Sequence, residues 1–253
     1  MATRASRPST SFAAYVLHRY DWSESSLILD LFTREQGRLA VAAKGAKRPY
    51  SQLRSVLLPF QRITVSLGKA AVQDAANEVQ TLRGAEWAGG AAMLTGAALF
   101  SGFYLNELLM KLLARHDPHE ALFDVYAATL TELTTDETRS QAALRAFELM
   151  LLQQTGSLPD LSLVTLTQQT VRPDSRYSVI PDAGVVSAND GEFDGQAMIG
   201  LQAALEYGSL PALQIACRQC LGALKLSLRG LIQYHLGSTS LRTRQIMMGL
   251  QSL

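Results

Sequence analysis

Four cations lie close together in the first quarter of the chain: Lys44, Lys47, Arg48 and Arg54. Gly45 and Pro49 lie among them, and this composition indicates a loop that bends away from a regular strand. Each cation placed near a phosphate releases a condensed counterion, so such a loop can bind a nucleic-acid backbone with an affinity that falls as salt rises. Arg38 and Arg62, on flanking strands, would continue the basic surface. The alternative is a solvated loop that serves only solubility.

Short strands on both sides are predicted to position this basic loop. Leu27, Leu29 and Leu31 share one face of a period-2 pattern, with Ser26, Asp30 and Thr33 among the other residues, and the alternation resumes at Leu39 after a turn at Glu35–Gly37. A first strand is predicted at 12–19, and two later strands at 59–67 and 71–82. Five short strands in so few residues are typical of a small barrel.

Four aromatic residues accompany the predicted strands and the basic loop: Tyr15, Tyr20, Trp22 and Tyr50. Aromatic faces bind single-stranded nucleic acids by stacking on the bases. A place in the barrel core, or in cross-strand pairs, explains the same residues as well. Tyr20 and Trp22 are the two candidates for stacking.

Several short pieces of the sequence are distinctive in their order and spacing. In the first half these pieces are Leu17–His18, Trp22–Leu27, Asp30–Thr33, Gly37–Arg38, Ala43–Arg48 and Leu58–Phe60. In the second half they are Tyr104–Leu109, Leu144–Leu149, Leu236–Gly237 and Leu241–Arg244. Together they resemble the bacterial RecO family of DNA repair proteins. The resemblance covers most of the chain and implies that the barrel is an OB-fold.

The resulting prediction is an α+β protein: a five-stranded OB-fold barrel followed by an all-helical C-terminal domain. Residues 1–11 are predicted to be a disordered tail, 12–82 the DNA-binding barrel, and 83–253 the helical domain. A stretch rich in Pro, Asp, Ser and Thr, at about 158–195, is predicted to form a loop with short strands at 176–180 and 185–187. Helices are predicted at 91–114, from Asp117 and Pro118 to Leu133, at 140–155, 197–207, 211–235 and 240–249.

Charge is unevenly distributed along the chain. The net charge is +5 for residues 1–80, −9 for 81–209 and +5 for 210–253, so a polyanion is expected to contact the two ends. The basic residues of the second end are Arg218, Lys225, Arg229, Arg242 and Arg244. The first three are spaced to share one helix face, which would extend the DNA surface, dock an acidic partner or remain a solvated face.

Composition indicates a soluble cytoplasmic protein, and the resemblance to RecO proteins implies association with the nucleoid. The first dozen residues lack the apolar core of a secretory signal. The longest apolar region, 91–113, is interrupted by Asn106, Glu107 and Lys111, which argues against a membrane span.

No metal, cofactor or catalytic centre is predicted. Some RecO relatives carry a four-cysteine zinc site in the middle loop, but the matching segment 159–186 has no cysteine. Cys217 and Cys220 have ligand-like spacing without a second pair, and are interpreted as core residues. A nuclease would need clustered carboxylates for metal ions. The only candidates are in a stretch that resembles a solvated loop: Asp182, Asp190, Glu192 and Asp194.

The resemblance implies a recombination mediator rather than an enzyme. RecO proteins anneal complementary strands, bind the C-terminal tail of single-stranded DNA-binding protein (SSB), and with RecR help to load RecA on coated strands. The predicted partners are therefore single- and double-stranded DNA, RecR and the SSB tail. The tail needs a cation for its carboxylate and an apolar groove, and the candidates are Arg139, Arg145 and Leu149. A metal-dependent nucleic-acid hydrolase and a protein-only adaptor are the alternatives.

Overall fold

The computed structural model describes residues 11–68, 79–90, 93–237 and 241–251, without the side chains of 90 and 247–251. The chain divides into two compact units. The first comprises residues 1–93 and 113–123, and the second comprises residues 94–112 and 124–253. Of the predicted disordered tail, residues 1–10 lie outside the described residues, and Ser11 begins the first strand.

The first unit contains a closed five-stranded barrel in the order β1-β2-β3-β5-β4, with β1 also paired to β4. Only β3 and β5 are parallel; the other neighbours are antiparallel. This is the predicted OB-fold barrel, so the fold class is confirmed. Its elements are β1 (Ser11–Asp21), β2 (Leu27–Thr33), β3 (Gly37–Ala43), α1 (Leu53–Val56), β4 (Gln61–Leu67) and β5 (Val79–Gly90).

The barrel core is formed by the alternating apolar residues that predicted the strands. Leu29, Leu31 and Val41 are fully buried, as are Ile63 and Val65 on β4. Burying an aliphatic side chain of this size contributes about 1.5–3 kcal/mol. For β2 and β3 the period-2 pattern therefore predicts correctly which side of the strand faces the interior.

The last barrel strand ends later than the sequence predicts. β5 continues past Leu82 to Gly90, while the predicted residues 71–78 lie outside the described part of the chain. The predicted boundary between residues 82 and 83 therefore falls inside β5, next to Gly84. In the structure Gly84 pairs with Ser66 beside a register shift, a place where a strand accommodates glycine.

A segment from later in the chain covers one outer face of the barrel. This covering segment is Leu113–Phe123, and the Phe123 ring lies 5.2 Å from the ring of Tyr15 and 5.4 Å from that of Phe32. Gly37, with φ +67°, lies against the backbone of Asp117 so closely that a Cβ atom would overlap it. The prediction that Asp117 and Pro118 begin a helix is therefore wrong: the helix begins at Glu120, because Asp117 is packed on the β2–β3 turn.

The second unit is helical, with a small sheet in the order β7-β6-β8, as predicted for the inserted loop. Asp136 and Asp194 accept hydrogen bonds from backbone amides at the starts of α4 and α5, which fixes those starts. The remaining elements are α2 (Gly96–Leu112), α3 (Glu120–Glu132), α4 (Glu137–Gln154), β6 (Arg176–Ile180), β7 (Gly184–Ser187), β8 (Phe193–Asp194), α5 (Gly195–Tyr207), α6 (Leu210–Gln219), α7 (Leu221–His235) and α8 (Arg242–Gln251).

The predicted single helix from 211 to 235 is wrong. It is two helices, α6 and α7, separated at Cys220, whose φ of −139° and ψ of 34° are not helical. Neither proline nor glycine occupies position 220, so the composition contains no signal for the break.

Candidate nucleic-acid interface

The basic loop (Lys44–Arg54) lies against the turn that joins β1 to β2. The Lys47 amide donates to the carbonyl oxygen of Ser25 at 3.0 Å, and the Gly45 amide donates to Ser26 Oγ at 3.4 Å. Because Gly45 has φ +74°, the loop turns sharply there, at a backbone conformation that glycine adopts without strain. These contacts hold the loop and the turn together at one end of the barrel.

Between them lies an open depression of about 350 Å³. Its lining consists of Trp22, Ser23, Ser25, Ser26, Lys44, Gly45 and Arg48. Trp22 is 56% exposed, and both Lys44 and Arg48 are exposed. Among the described residues, no carboxylate forms an ion pair with either cation. The depression therefore combines an exposed aromatic face with two uncompensated positive charges.

Lys47 plays a different part from its two neighbours. Its Nζ lies 3.0 Å from the Asp21 carboxylate and donates to the carbonyl oxygen of Ser23 at 3.1 Å. Its side chain is only one-third exposed. The charge of Lys47 is therefore compensated, and the ammonium joins the basic loop to the end of β1.

Arg38 does not belong to the exposed basic surface, contrary to the prediction. It is 8% exposed, donates to the Leu113 carbonyl oxygen at 2.9 Å, and lies 3.6 Å from the Asp30 carboxylate. Arg115, also in the covering segment, lies 4.0 Å from the same carboxylate. The physical reason is that residues 113–123 cover this part of the sheet, so the Arg38 charge is used inside the unit.

Arg54 and Arg62 are exposed, but at different places on the barrel. Arg54 lies on α1, at the end of the basic loop. Arg62 pairs with Tyr15 across β1 and β4. Tyr15 and Trp22 are seven residues apart, about 23 Å along an extended strand, so Arg62 is remote from the depression.

The four aromatic candidates also differ in exposure, and only some of them are available to a ligand. Tyr15 is buried, as its contact with the covering segment requires, and is a core residue. Tyr20 is 45% exposed, and its hydroxyl donates to Asp30 at 3.5 Å; partial burial and this carboxylate raise the Tyr20 pKa. Trp22 and Tyr50 are exposed and lie beside or within the basic loop.

The basic residues of the second unit are only partly brought together. Lys225 and Arg229, four residues apart on α7, are both exposed and share a face. Arg218 lies on α6, so the prediction that it continues their face along one helix is wrong. Arg244 on α8 is partly buried, and this burial together with the nearby Arg229 lowers its pKa. Arg242 is exposed at the start of α8.

The residues predicted to receive a partner's tail do not form an exposed groove. Arg145 is 8% exposed and its guanidinium lies 2.9 Å from the fully buried Glu148 carboxylate. Leu149 is 1% exposed and lies in the core. Arg139 binds Glu132 through two hydrogen bonds of 3.1 Å. Because six residues of helix separate Arg139 from Arg145, the two point about 120° apart, and this set is wrong as a single site.

Glu148 is the buried charge that sequence reasoning missed. It accepts a hydrogen bond of 2.6 Å from the Tyr104 hydroxyl in addition to its contact with Arg145. Burial raises the Glu148 pKa, while Arg145 acts in the opposite direction. Burial and the neighbouring carboxylate also raise the Tyr104 pKa well above its usual value. The sequence contained one signal for this buried charge: Glu148 lies on the apolar face of a predicted helix.

Of the four acidic residues considered for metal catalysis, Glu192 and Asp194 are engaged in structural hydrogen bonds. Glu192 accepts hydrogen bonds from Ser178 at 2.6 Å and Ser227 at 2.9 Å, and Asp194 caps α5. Asp182 and Asp190 are exposed. Within the part of the chain that the structure describes, no three His, Cys, Asp or Glu residues are grouped to hold a metal ion. Over the same residues, no helix is both long enough and apolar enough to cross a bilayer.

Comparison with known proteins connects this geometry to a family. The family model described as "Recombination protein O N terminal" matches residues 8–90, and the one described as "Recombination protein O C terminal" matches residues 93–245. The DNA repair protein RecO of Variovorax paradoxus (strain S110) is 49% identical over 252 residues, covering 95% of this chain and 96% of that protein. RecO of Polaromonas naphthalenivorans (strain CJ2) is 50% identical over 255 residues, covering 98% and 100%.

Proposed function

This chain belongs to the RecO family of DNA repair proteins, and we propose that it is a recombination mediator that binds DNA through the basic loop and anneals complementary strands. The observation that carries the proposal is the pair of exposed cations, Lys44 and Arg48, which form no ion pair with any described carboxylate and lie beside an exposed tryptophan. Arg54 extends the same surface along α1. A positive surface of this kind binds phosphates without regard to base sequence.

Annealing follows from electrostatics and needs no catalytic residue. Two DNA strands repel each other through their phosphates, and a cationic surface that binds both lowers this repulsion while their bases pair. No covalent bond is made or broken, so neither a nucleophile nor a metal ion is required. The engaged carboxylates Glu192 and Asp194 support this mediator function over the hydrolase alternative.

The partners proposed from family membership are single- and double-stranded DNA, RecR and SSB. With RecR, the protein would help to load RecA on SSB-coated single strands in the cytoplasm, near the nucleoid. For the SSB tail, α7 and α8 now provide the better surface, because Arg229 and Arg244 lie near each other. Leu226, three residues before Arg229 on α7 and 67% exposed, would supply an apolar contact. An acidic tail that ends in an apolar residue requires this combination.

The test measures single-stranded oligonucleotide affinity as a function of salt for two variants that each lose one Lys and one Arg. K44A/R48A should reduce the slope of log K against log salt by about 1.4, since each single-strand phosphate contact contributes about 0.7. The matched control K225A/R229A should leave that slope unchanged and weaken binding of an SSB tail peptide. If K225A/R229A reduced the salt slope and K44A/R48A left it unchanged, the proposed DNA surface would be wrong.

The alternatives give distinct results in the same experiment. Absence of wild-type DNA binding even at low salt would favour the protein-only adaptor. Magnesium-dependent shortening of the oligonucleotide would favour the hydrolase, and the intact oligonucleotide is the expected result.

A further inference from the structure

The depression beside the basic loop has features that phosphate binding alone does not require. One wall is the indole of Trp22, which is 56% exposed although a tryptophan in a folded protein is usually well buried. Lys44 and Arg48 line the same depression. Its volume of about 350 Å³ is at the lower end of the range for small-molecule sites, about 300–1,000 Å³.

The surrounding structure holds Trp22 in a defined place. The Trp22 and Ser23 amides both donate to the Ser26 carbonyl oxygen at 3.3 Å, which closes the turn. Lys47 then binds the residues on either side of the tryptophan, Asp21 at 3.0 Å and Ser23 at 3.1 Å. These contacts fix the backbone that carries Trp22, so less of the chain has to be ordered when the indole binds a ligand.

We propose that Trp22, Lys44 and Arg48 form a subsite for one unpaired nucleotide, with the base stacked on the indole and its phosphate held by the two cations. Lys47 is the positioning residue of this subsite. The inference rests on the proposed DNA-binding function and adds the feature that distinguishes single strands from duplexes. In a duplex the faces of an internal base are already stacked, so only an unpaired base can use the indole.

The subsite is expected to be indifferent to base identity. Every base has a π-face, whereas recognition of one base would need hydrogen-bond groups aimed at its edge. Stacking of one base on one aromatic ring corresponds to about a tenfold change in affinity. The contribution of Trp22 should not depend on salt, because stacking releases no counterions, unlike the contacts of Lys44 and Arg48.

The experiment compares a single-stranded oligonucleotide with a blunt duplex of the same length and sequence. W22A should weaken single-strand binding about tenfold, leave duplex binding unchanged and leave the salt slope of both unchanged, while W22F should retain most of the affinity. Trp87, which is 66% exposed on β5, provides the matched control, and W87A should change neither affinity. Equal loss for both DNA forms with W22A, or no loss for either, would overturn the subsite.

The positioning role of Lys47 is tested by the ratio of single-strand affinity to duplex affinity. The variants are made in the W87F protein, in which Trp22 is the only tryptophan. K47M should lower the single-strand-to-duplex ratio and reduce the quenching of Trp22 fluorescence by single-stranded DNA, and K47R should restore both. A ratio unchanged by K47M would refute the positioning role. Failure of the proposed function is recognised separately, because K44A/R48A would then leave the salt slope unchanged whatever W22A does.

Discussion

Replacement of Arg145 by methionine should destabilise the helical unit strongly at neutral pH. Glu148 has no exposed side-chain surface, and Arg145 is the cation nearest to it, at 2.9 Å. Methionine keeps much of the side-chain volume but leaves the buried carboxylate with a single hydrogen bond, from Tyr104. Removing one partner of a buried ion pair costs about 3–5 kcal/mol, because the remaining charge stays desolvated. For a protein of this size that loss lowers Tm by about 6–20 °C.

The pH dependence of this loss is set by Glu148. Burial raises its pKa in the folded protein and Arg145 restrains that rise, so R145M should raise the pKa further. A raised folded pKa means that the folded state gains stability as pH falls towards the unfolded value of about 4.3 and loses it as pH rises through the folded value. The deficit of R145M relative to wild type should therefore be larger at pH 7 than at pH 5.

The assay is urea unfolding at both pH values for wild type, R145M, E148Q and R145M/E148Q. The double variant contains neither charge and should regain most of the stability that R145M loses at pH 7, giving a favourable coupling energy for the pair. Two results would refute the reasoning: a loss below about 1 kcal/mol for R145M, or an equal loss at pH 5 and pH 7.

Three further predictions concern other parts of the chain. G37A should lose at least about 2 kcal/mol in urea unfolding, because its Cβ would overlap the Asp117 backbone. At Gly89, also at positive φ, an added Cβ would meet no described atom within 4 Å beyond its chain neighbours, so G89A should lose only about 1 kcal/mol. E107Q should increase amide exchange in α8, because the Glu107 carboxylate accepts hydrogen bonds from the start of that helix. Burial alone would raise the pKa of this carboxylate, but these hydrogen bonds hold the pKa below its usual value. Wild-type α8 should therefore also loosen as the pH falls through this lowered pKa. At pH 8, Cys220 should react with an alkylating reagent much more slowly than free cysteine, because burial raises its pKa to about 11; alkylation at the free-thiol rate would contradict this.

Much of the barrel was predictable because its signals are local. The alternation through Leu29 and Leu31 states which residues face inward, whatever the rest of the chain does. The strand at Arg176–Ile180 was predicted with its observed bounds. The end of β5 was not, because a glycine inside a strand resembles a break unless the partner strand and its register shift are known.

The sequence by itself determined the two kinds of structure, the family, and the basic loop as the leading candidate for DNA binding. These follow from residue types and short spacings, which act within a single element. Lys44 and Arg48 are exposed because their loop projects from the end of a strand, as Gly45 and Pro49 indicated.

Only the tertiary structure decided which cations are available to a ligand. Arg38 and Lys44 both lie on or beside β3, yet Arg38 is buried because the covering segment packs on it. The Leu113 carbonyl oxygen, 75 residues later in the chain, accepts a hydrogen bond from Arg38 there. Lys47 and Arg48 are adjacent in sequence, but within the described part of the chain only Lys47 forms an ion pair with a carboxylate, that of Asp21. A local sequence pattern predicts which face of its element a side chain occupies. Which groups pack against that face depends on segments far away in sequence, and these groups determine whether the charge of a Lys or Arg is compensated.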